Sequence, residues 1–121
     1  MSAARVVIVG AGFAGYHAAR GLQKHAPDAE IVLINPTDYF LYLPLLPEVA
    51  AGILEPRRIC VSLPDRLPKV KLVLGTVTHI DVLAHRVEWL DPEGRHGSLE
   101  FDRLVLAAGS VNKLLPIPGV A

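Results

Sequence analysis

The sequence predicts an α/β fold with a parallel β-sheet, and three features of its first 36 residues predict it. Arg5 to Val9 (RVVIV) is an unbroken β-branched run after its leading arginine, as a strand buried on both faces requires. A glycine turn, Gly10-Ala11-Gly12-Phe13-Ala14-Gly15, follows at once. A second apolar run, Glu30 to Ile34, comes after a helical segment and ends at Asn35-Pro36. Strand, turn, helix, strand is a crossover unit, which is almost always right-handed and sets its two strands parallel.

The helix is expected over Tyr16 to His25, because Ala14, Ala18, Leu22 and Ala26 recur at near-helical spacing and Pro27-Asp28 stops the run. Thr37 to Leu46 is aromatic and leucine-rich, but Pro44 and Pro47 break any long helix, so a loop is expected, then a short helix over Pro47 to Ala51. Leu54 to Leu63 reads as a linker carrying Pro56, Arg57 and Arg58, and Lys69 to Leu74 as a third strand. Thr76 to Asp81, Arg86 to Leu90 and Leu99 to Phe101 suit a small antiparallel meander with a turn at Asp91-Pro92-Glu93-Gly94. Asp102 to Ala107 is one more buried strand, ending at Ala108-Gly109-Ser110, and Leu115 to Gly119 looks like an extended domain junction. The expected organisation is therefore one segment: a βαβ unit over 5–36, loop and short helix over 37–68, meander over 76–101, strand and junction over 102–121.

Composition narrows the function classes. Twelve basic and twelve acidic side chains cancel, and the longest basic block is Arg57-Arg58, which gives no footing for a nucleic-acid partner. The single cysteine, Cys60, excludes an internal disulfide, fits a reducing compartment and reads as a small buried hydrophobe. No apolar run reaches the roughly 18 residues that span a bilayer, and Met1 to Arg5 leads directly into a strand rather than into a signal-peptide layout. A cytoplasmic protein is the expectation. A hydrophobic fraction of 51% leaves room for an apolar surface facing a further domain, a second copy or a membrane.

GxGxxG alone is a weak signal, but here it follows a buried strand and opens a helix, the context that points to a bound dinucleotide. Gly10 allows the tight turn. A side chain at Gly12 would stand between backbone and pyrophosphate, and a Cβ at Gly15 would hold the helix off the strand. The anion would meet N–H groups and the positive end of the helix dipole. Asn35, at the tip of the second strand, stands where an acidic residue would accept bonds from the adenine ribose; it also suits an Asn-Pro turn, and the two roles can coexist. Tyr39, Phe40 and Tyr42 could wall a flavin pocket or belong to the core, with Pro44-Leu45-Leu46-Pro47 covering the ring. Arg57 and Arg58 could meet phosphate or form a surface pair. The five histidines do not cluster in sequence, there is no metal-ligand spacing, and no G-x-S-x-G elbow is present.

Four stretches, VVIVGAGFAGYHAARGL, DYFLYLPLLPEVAAGILEPRRI, VKLVLGTVTHID and FDRLVLAAGSVNKLLPIPG, together resemble the flavoprotein pyridine-nucleotide oxidoreductases. The resemblance is closest to the type II, non-proton-pumping NADH:quinone dehydrogenases, and it covers nearly the whole chain in order. It implies a Rossmann-like domain binding FAD, with hydride taken from NAD(P)H and electrons passed to a quinone. Gly10, Gly12 and Gly15 with the backbone of Ala11, Phe13 and Ala14 would hold the FAD pyrophosphate. Asn35-Pro36 would face the adenosine ribose, with asparagine in place of the usual acid. The backbone at Val77 would contact adenine. Ala108-Gly109-Ser110 would match the family's Ala-Thr-Gly segment, with alanine where threonine is common. Leu45, with Leu46 and Pro47, would lie near the flavin and the quinone channel. No catalytic acid or base is expected, since hydride transfer between stacked rings asks mainly for orientation and exclusion of water.

Family members continue well beyond this length, through an NADH-binding domain with its own glycine motif and a membrane-associating region. The expectation is thus an N-terminal portion, inactive as a dehydrogenase by itself and prone to self-association as a homo-oligomer. The longer protein would sit peripherally on the inner face of the cell membrane. Two other readings stand beside this one. The first is another FAD-dependent reductase of ferredoxin, disulfide or sulfide:quinone type. Lack of a CxxxxC pair and the PLLPEVAAG loop argue against it, as does Cys60 being the only thiol. The second is a nucleotide-binding module without catalysis.

Overall fold

Along strand β1 (Arg5–Val9) successive side chains point to opposite faces, and Val6, Val7, Ile8 and Val9 are all buried. Strand β2 (Glu30–Asn35) repeats the pattern with Ile31 and Leu33 on one face and Val32 and Ile34 on the other. Strands like these need cover on both sides, and the computed structural model, which describes residues 4–41, 50–52 and 60–109, shows what supplies it. Helix α1 (Phe13–His25) covers the face of Val6, Ile8, Ile31 and Leu33 through Tyr16 and Ala19, joined by Leu63 and Leu67. The opposite face, Val7, Val9, Val32 and Ile34, packs on Val87 and Phe101. Full burial of each such aliphatic side chain is worth about 1.5–3 kcal/mol, so the two half-cores hold the layers together.

The central sheet has four parallel strands in the order β5-β2-β1-β9, where β5 is Lys71–Leu74 and β9 is Arg103–Leu106. Two further strands, β3 (Tyr39–Leu41) and β4 (Cys60–Ser62), pair antiparallel, and a short helix α2 (Leu63–Arg66) follows directly. The meander β6 (Thr76–Asp81), β7 (Arg86–Leu90) and β8 (His96–Glu100) forms a third sheet. Val87, on its middle strand, enters the core under the parallel sheet. Trp89 lies against Gly75 and Gly97, where any Cβ would strike the indole ring.

Several bounds differ from the sequence expectation. Helix α1 begins at Phe13 rather than Tyr16, directly on the glycine turn. Strand β8 begins at His96 rather than Leu99, because Gly97 leaves the space in which Trp89 lies. The end of the expected linker is strand β4, and the helix α2 after it was not expected. The short helix expected over 47–51 lies outside the described residues except at its end, as do Tyr42, Leu45, Arg57, Arg58, Ser110 and the tail. Among the described residues no helix is long and apolar enough to cross a membrane.

Candidate nucleotide-binding site

The glycine turn joins β1 to α1 at the carboxyl end of the parallel strands. Gly10 has φ +97° and donates its N–H to the Ile34 carbonyl at 2.9 Å, so the chain leaves β1 hydrogen-bonded to β2. A Cβ there would strike the Ala107 carbonyl after β9, and a Cβ on Gly15 would strike the Gly10 carbonyl. The fold itself therefore requires these two glycines.

Gly12 is different. Its φ of −76° is open to any residue, it caps α1 without a side chain, and a Cβ there would meet nothing within 4 Å. Among the described residues no neighbour explains a glycine at this position. The first turn of α1 carries no acidic residue and no side-chain cap, so the positive end of the helix dipole is not countered by a side chain of that turn. A side-chain-free cap before such a turn leaves room for an anion such as a dinucleotide pyrophosphate.

Asn35 ends β2 beside this cap. Its Oδ1 accepts the Ala11 N–H at 3.0 Å, while Nδ2 donates to the Thr37 carbonyl at 2.9 Å and to Thr37 Oγ1 at 3.0 Å. Thr37 Oγ1 in turn donates to the Tyr39 carbonyl at 3.1 Å. Thr37 carries no sequence motif of its own; its place two residues after an Asn was the one signal, since Asn side chains bond their own backbone at that spacing.

Two shallow cavities open at the same end of the sheet. One, of about 250 Å³, is lined by Val9, Val77, Thr78, His79, Ile80, Leu106 and Ala108. The other, of about 260 Å³, is lined by Pro36, Gly75, Thr76, Leu90, Asp91 and Pro92. Between them β6 carries a register shift at Thr78: Val77 pairs with Trp89 and His79 with Glu88. Bulges of this kind re-aim a strand beside functional sites, and alternation of side chains alone gave no sign of it. Of the residues singled out from sequence, the structure gathers Gly10 to Gly15, Asn35, Pro36, Val77, Ala108 and Gly109 at this end; Leu45 and Ser110 fall outside the described residues. Among the described residues no three His, Cys, Asp or Glu side chains group as a metal site.

A glycine turn at the carboxyl end of a parallel sheet, opening a helix, is the layout of a Rossmann-like dinucleotide fold. The chain belongs to the pyridine nucleotide-disulphide oxidoreductase family, whose sequence profile matches residues 4–121. It is 39% identical over 109 residues to a type II NADH:quinone oxidoreductase of Mycobacterium tuberculosis, covering 88% of this chain and 23% of that protein. A type II NADH:quinone oxidoreductase of Staphylococcus aureus is 35% identical over 120 residues, covering 96% of this chain and 29% of that protein. The chain thus spans about a quarter of the length of the curated relatives it matches. The fold is shared with the structure of NDH2 from Plasmodium falciparum in complex with NADH, at a TM-score of 0.88 and 22% identity over 96% of this chain and 24% of that one.

Proposed function

We propose that residues 1–121 form the FAD-binding segment of an oxidoreductase that passes electrons from NAD(P)H to a quinone. The observation that carries this reading is Gly12, a glycine against which no described residue packs, at the start of α1. Relatives named for NADH and quinone supply the donor and acceptor classes.

In this reading Gly12 and the first turn of α1 hold the pyrophosphate, with Gly10 and Gly15 fixing the turn and Ala11, Phe13 and Ala14 giving it backbone. Asn35 and Pro36 border the ribose, and the backbone at Val77 meets the adenine at the 250 Å³ cavity that Ala108 also lines, with Gly109 next in the chain. The family resemblance assigns Leu45 and Ser110 to the same set, on its flavin side. Bound FAD supplies the redox chemistry; the chain's residues bind, orient and exclude water, and none acts as an acid or base. The NAD(P)H-binding domain and quinone site belong to the longer protein, together with its peripheral seat on the membrane and any homo-oligomer.

The test is reconstitution. The 121-residue chain, incubated with FAD and desalted, is expected to keep flavin absorbance, and NADH offered alone is expected to wash away. A chain that retains NADH and releases FAD would assign the glycine turn to the other dinucleotide and overturn the proposal.

A further inference from the structure

We infer that Asn35 is a positioning residue: its amide clamps the glycine turn to the loop after β2, setting the turn's shape before nucleotide arrives. The role depends on an amide, which a carboxylate cannot replace. The clamp stands on the free chain's geometry; its effect on FAD rests on the function proposed above.

The orientation of the amide follows from its partners. Ala11 N–H can only donate, so Oδ1 must face it; the Thr37 carbonyl can only accept, so Nδ2 must face that side. Nδ2 lies within hydrogen-bond distance of both the Thr37 carbonyl and Thr37 Oγ1. Thr37 Oγ1 gives its own proton to the Tyr39 carbonyl, so it accepts from Asn35 in return. A ribose hydroxyl reaching Asn35 would meet an amide already held at both its oxygen and its nitrogen. With Gly10 N–H on the Ile34 carbonyl and Ala11 N–H on Asn35, two successive amides of the turn are tied to β2.

An aspartate would keep the bond from Ala11 but turn an unprotonated oxygen on the Thr37 carbonyl. Protonated, it could donate there and restore the clamp. The folded form thus holds the proton more tightly than the unfolded chain, so the penalty is felt at high pH and fades as pH falls. Among the described residues the charged groups around this position are few. Asp38 shares the turn, and Asp91 lines the cavity that Pro36 borders. Arg5, Glu30 and Lys71 lie at the far ends of β1, β2 and β5, and α1 brings His17 and Arg20 only beyond its acid-free first turn. Wild type, whose amide does not titrate, subtracts all of these.

The experiment measures amide hydrogen exchange at Ala11 without FAD, and FAD affinity against pH, in wild type, Asn35→Ala and Asn35→Asp. Asn35→Ala is expected to lower Ala11 protection about tenfold while Gly10, bonded to backbone, keeps its own. Asn35→Asp is expected to bind FAD about tenfold more weakly at mildly alkaline pH, with the deficit closing toward acid. Equal Ala11 exchange in wild type and Asn35→Ala would overturn the clamp. So would an Asn35→Asp chain that binds FAD at least as tightly as wild type at every pH, the result a direct ribose contact gives. Should Asn35→Ala not fold, Thr37→Val removes one Nδ2 acceptor: reduced Ala11 protection supports the clamp and unchanged protection refutes it. If wild type binds no FAD, the proposed function falls, and Ala11 exchange alone decides the clamp.

Discussion

Replacing Gly12 by alanine separates what the fold needs from what a ligand needs. Among the described residues the added methyl would meet no atom of a non-adjacent residue within 4 Å, and φ of −76° imposes no strain on an L-residue. Alanine is a poorer helix cap than glycine, costing a few tenths to about 1 kcal/mol, and the stiffer unfolded chain offsets about 0.4–1 kcal/mol. Stability should therefore change by no more than about 0.5 kcal/mol. Binding should suffer far more. A methyl at the mouth of α1 holds a pyrophosphate away from the helix amides, and one lost hydrogen bond to a charged group costs about 1.5–3 kcal/mol. That converts to a Kd raised about 10- to 150-fold. Chemical denaturation gives the first number and quenching of flavin fluorescence the second. Wild-type affinity in Gly12→Ala would refute the assignment, as would a variant that fails to fold.

Gly15→Ala should behave in the opposite way, because its Cβ strikes the Gly10 carbonyl; loss of the cooperative unfolding transition without ligand is expected, and a chain as stable as wild type would contradict the packing. Val87→Ala empties a fully buried site between the meander and the parallel sheet and should cost about 2 kcal/mol in a denaturant titration. Glu30→Ala removes the 3.0 Å ion pair to Arg5, but both side chains are more than a third exposed, so less than about 0.5 kcal/mol should be lost. A thermal melt that drops by many degrees would show the pair is not screened as its exposure implies.

The central layer was legible in the sequence because local and global signals agree there: Val6 to Val9 and Ile31 to Ile34 are β-branched or leucine and buried on both faces, with a glycine turn between strand and helix. The start of α1 was missed because Phe13, Ala14 and Gly15 belong to the glycine motif, which reads as a turn, although Gly15 is there for close packing of the helix. Strand β8 began early for a similar reason: Gly97 is a weak strand former whose value lies in the Trp89 ring above it, a contact made across strands. The pairing of Tyr39–Leu41 with Cys60–Ser62 joins segments far apart in sequence and leaves no local trace. At the site, the glycine pattern announced itself, whereas the bonds of Asn35 depend on how two separate loops meet. A lone asparagine at a strand end does not reveal which groups its amide will engage.

The most direct test of the dinucleotide site is a titration of the isotope-labelled chain with FAD, followed amide by amide by NMR. Shifts are expected to concentrate at Gly12 and Phe13, at Val77 and Thr78, and at Ala108 and Gly109, all at the carboxyl end of the parallel strands. Shifts confined to the other end, around Arg5, Glu30 and Asp102, or no saturable shift at all, would contradict the account.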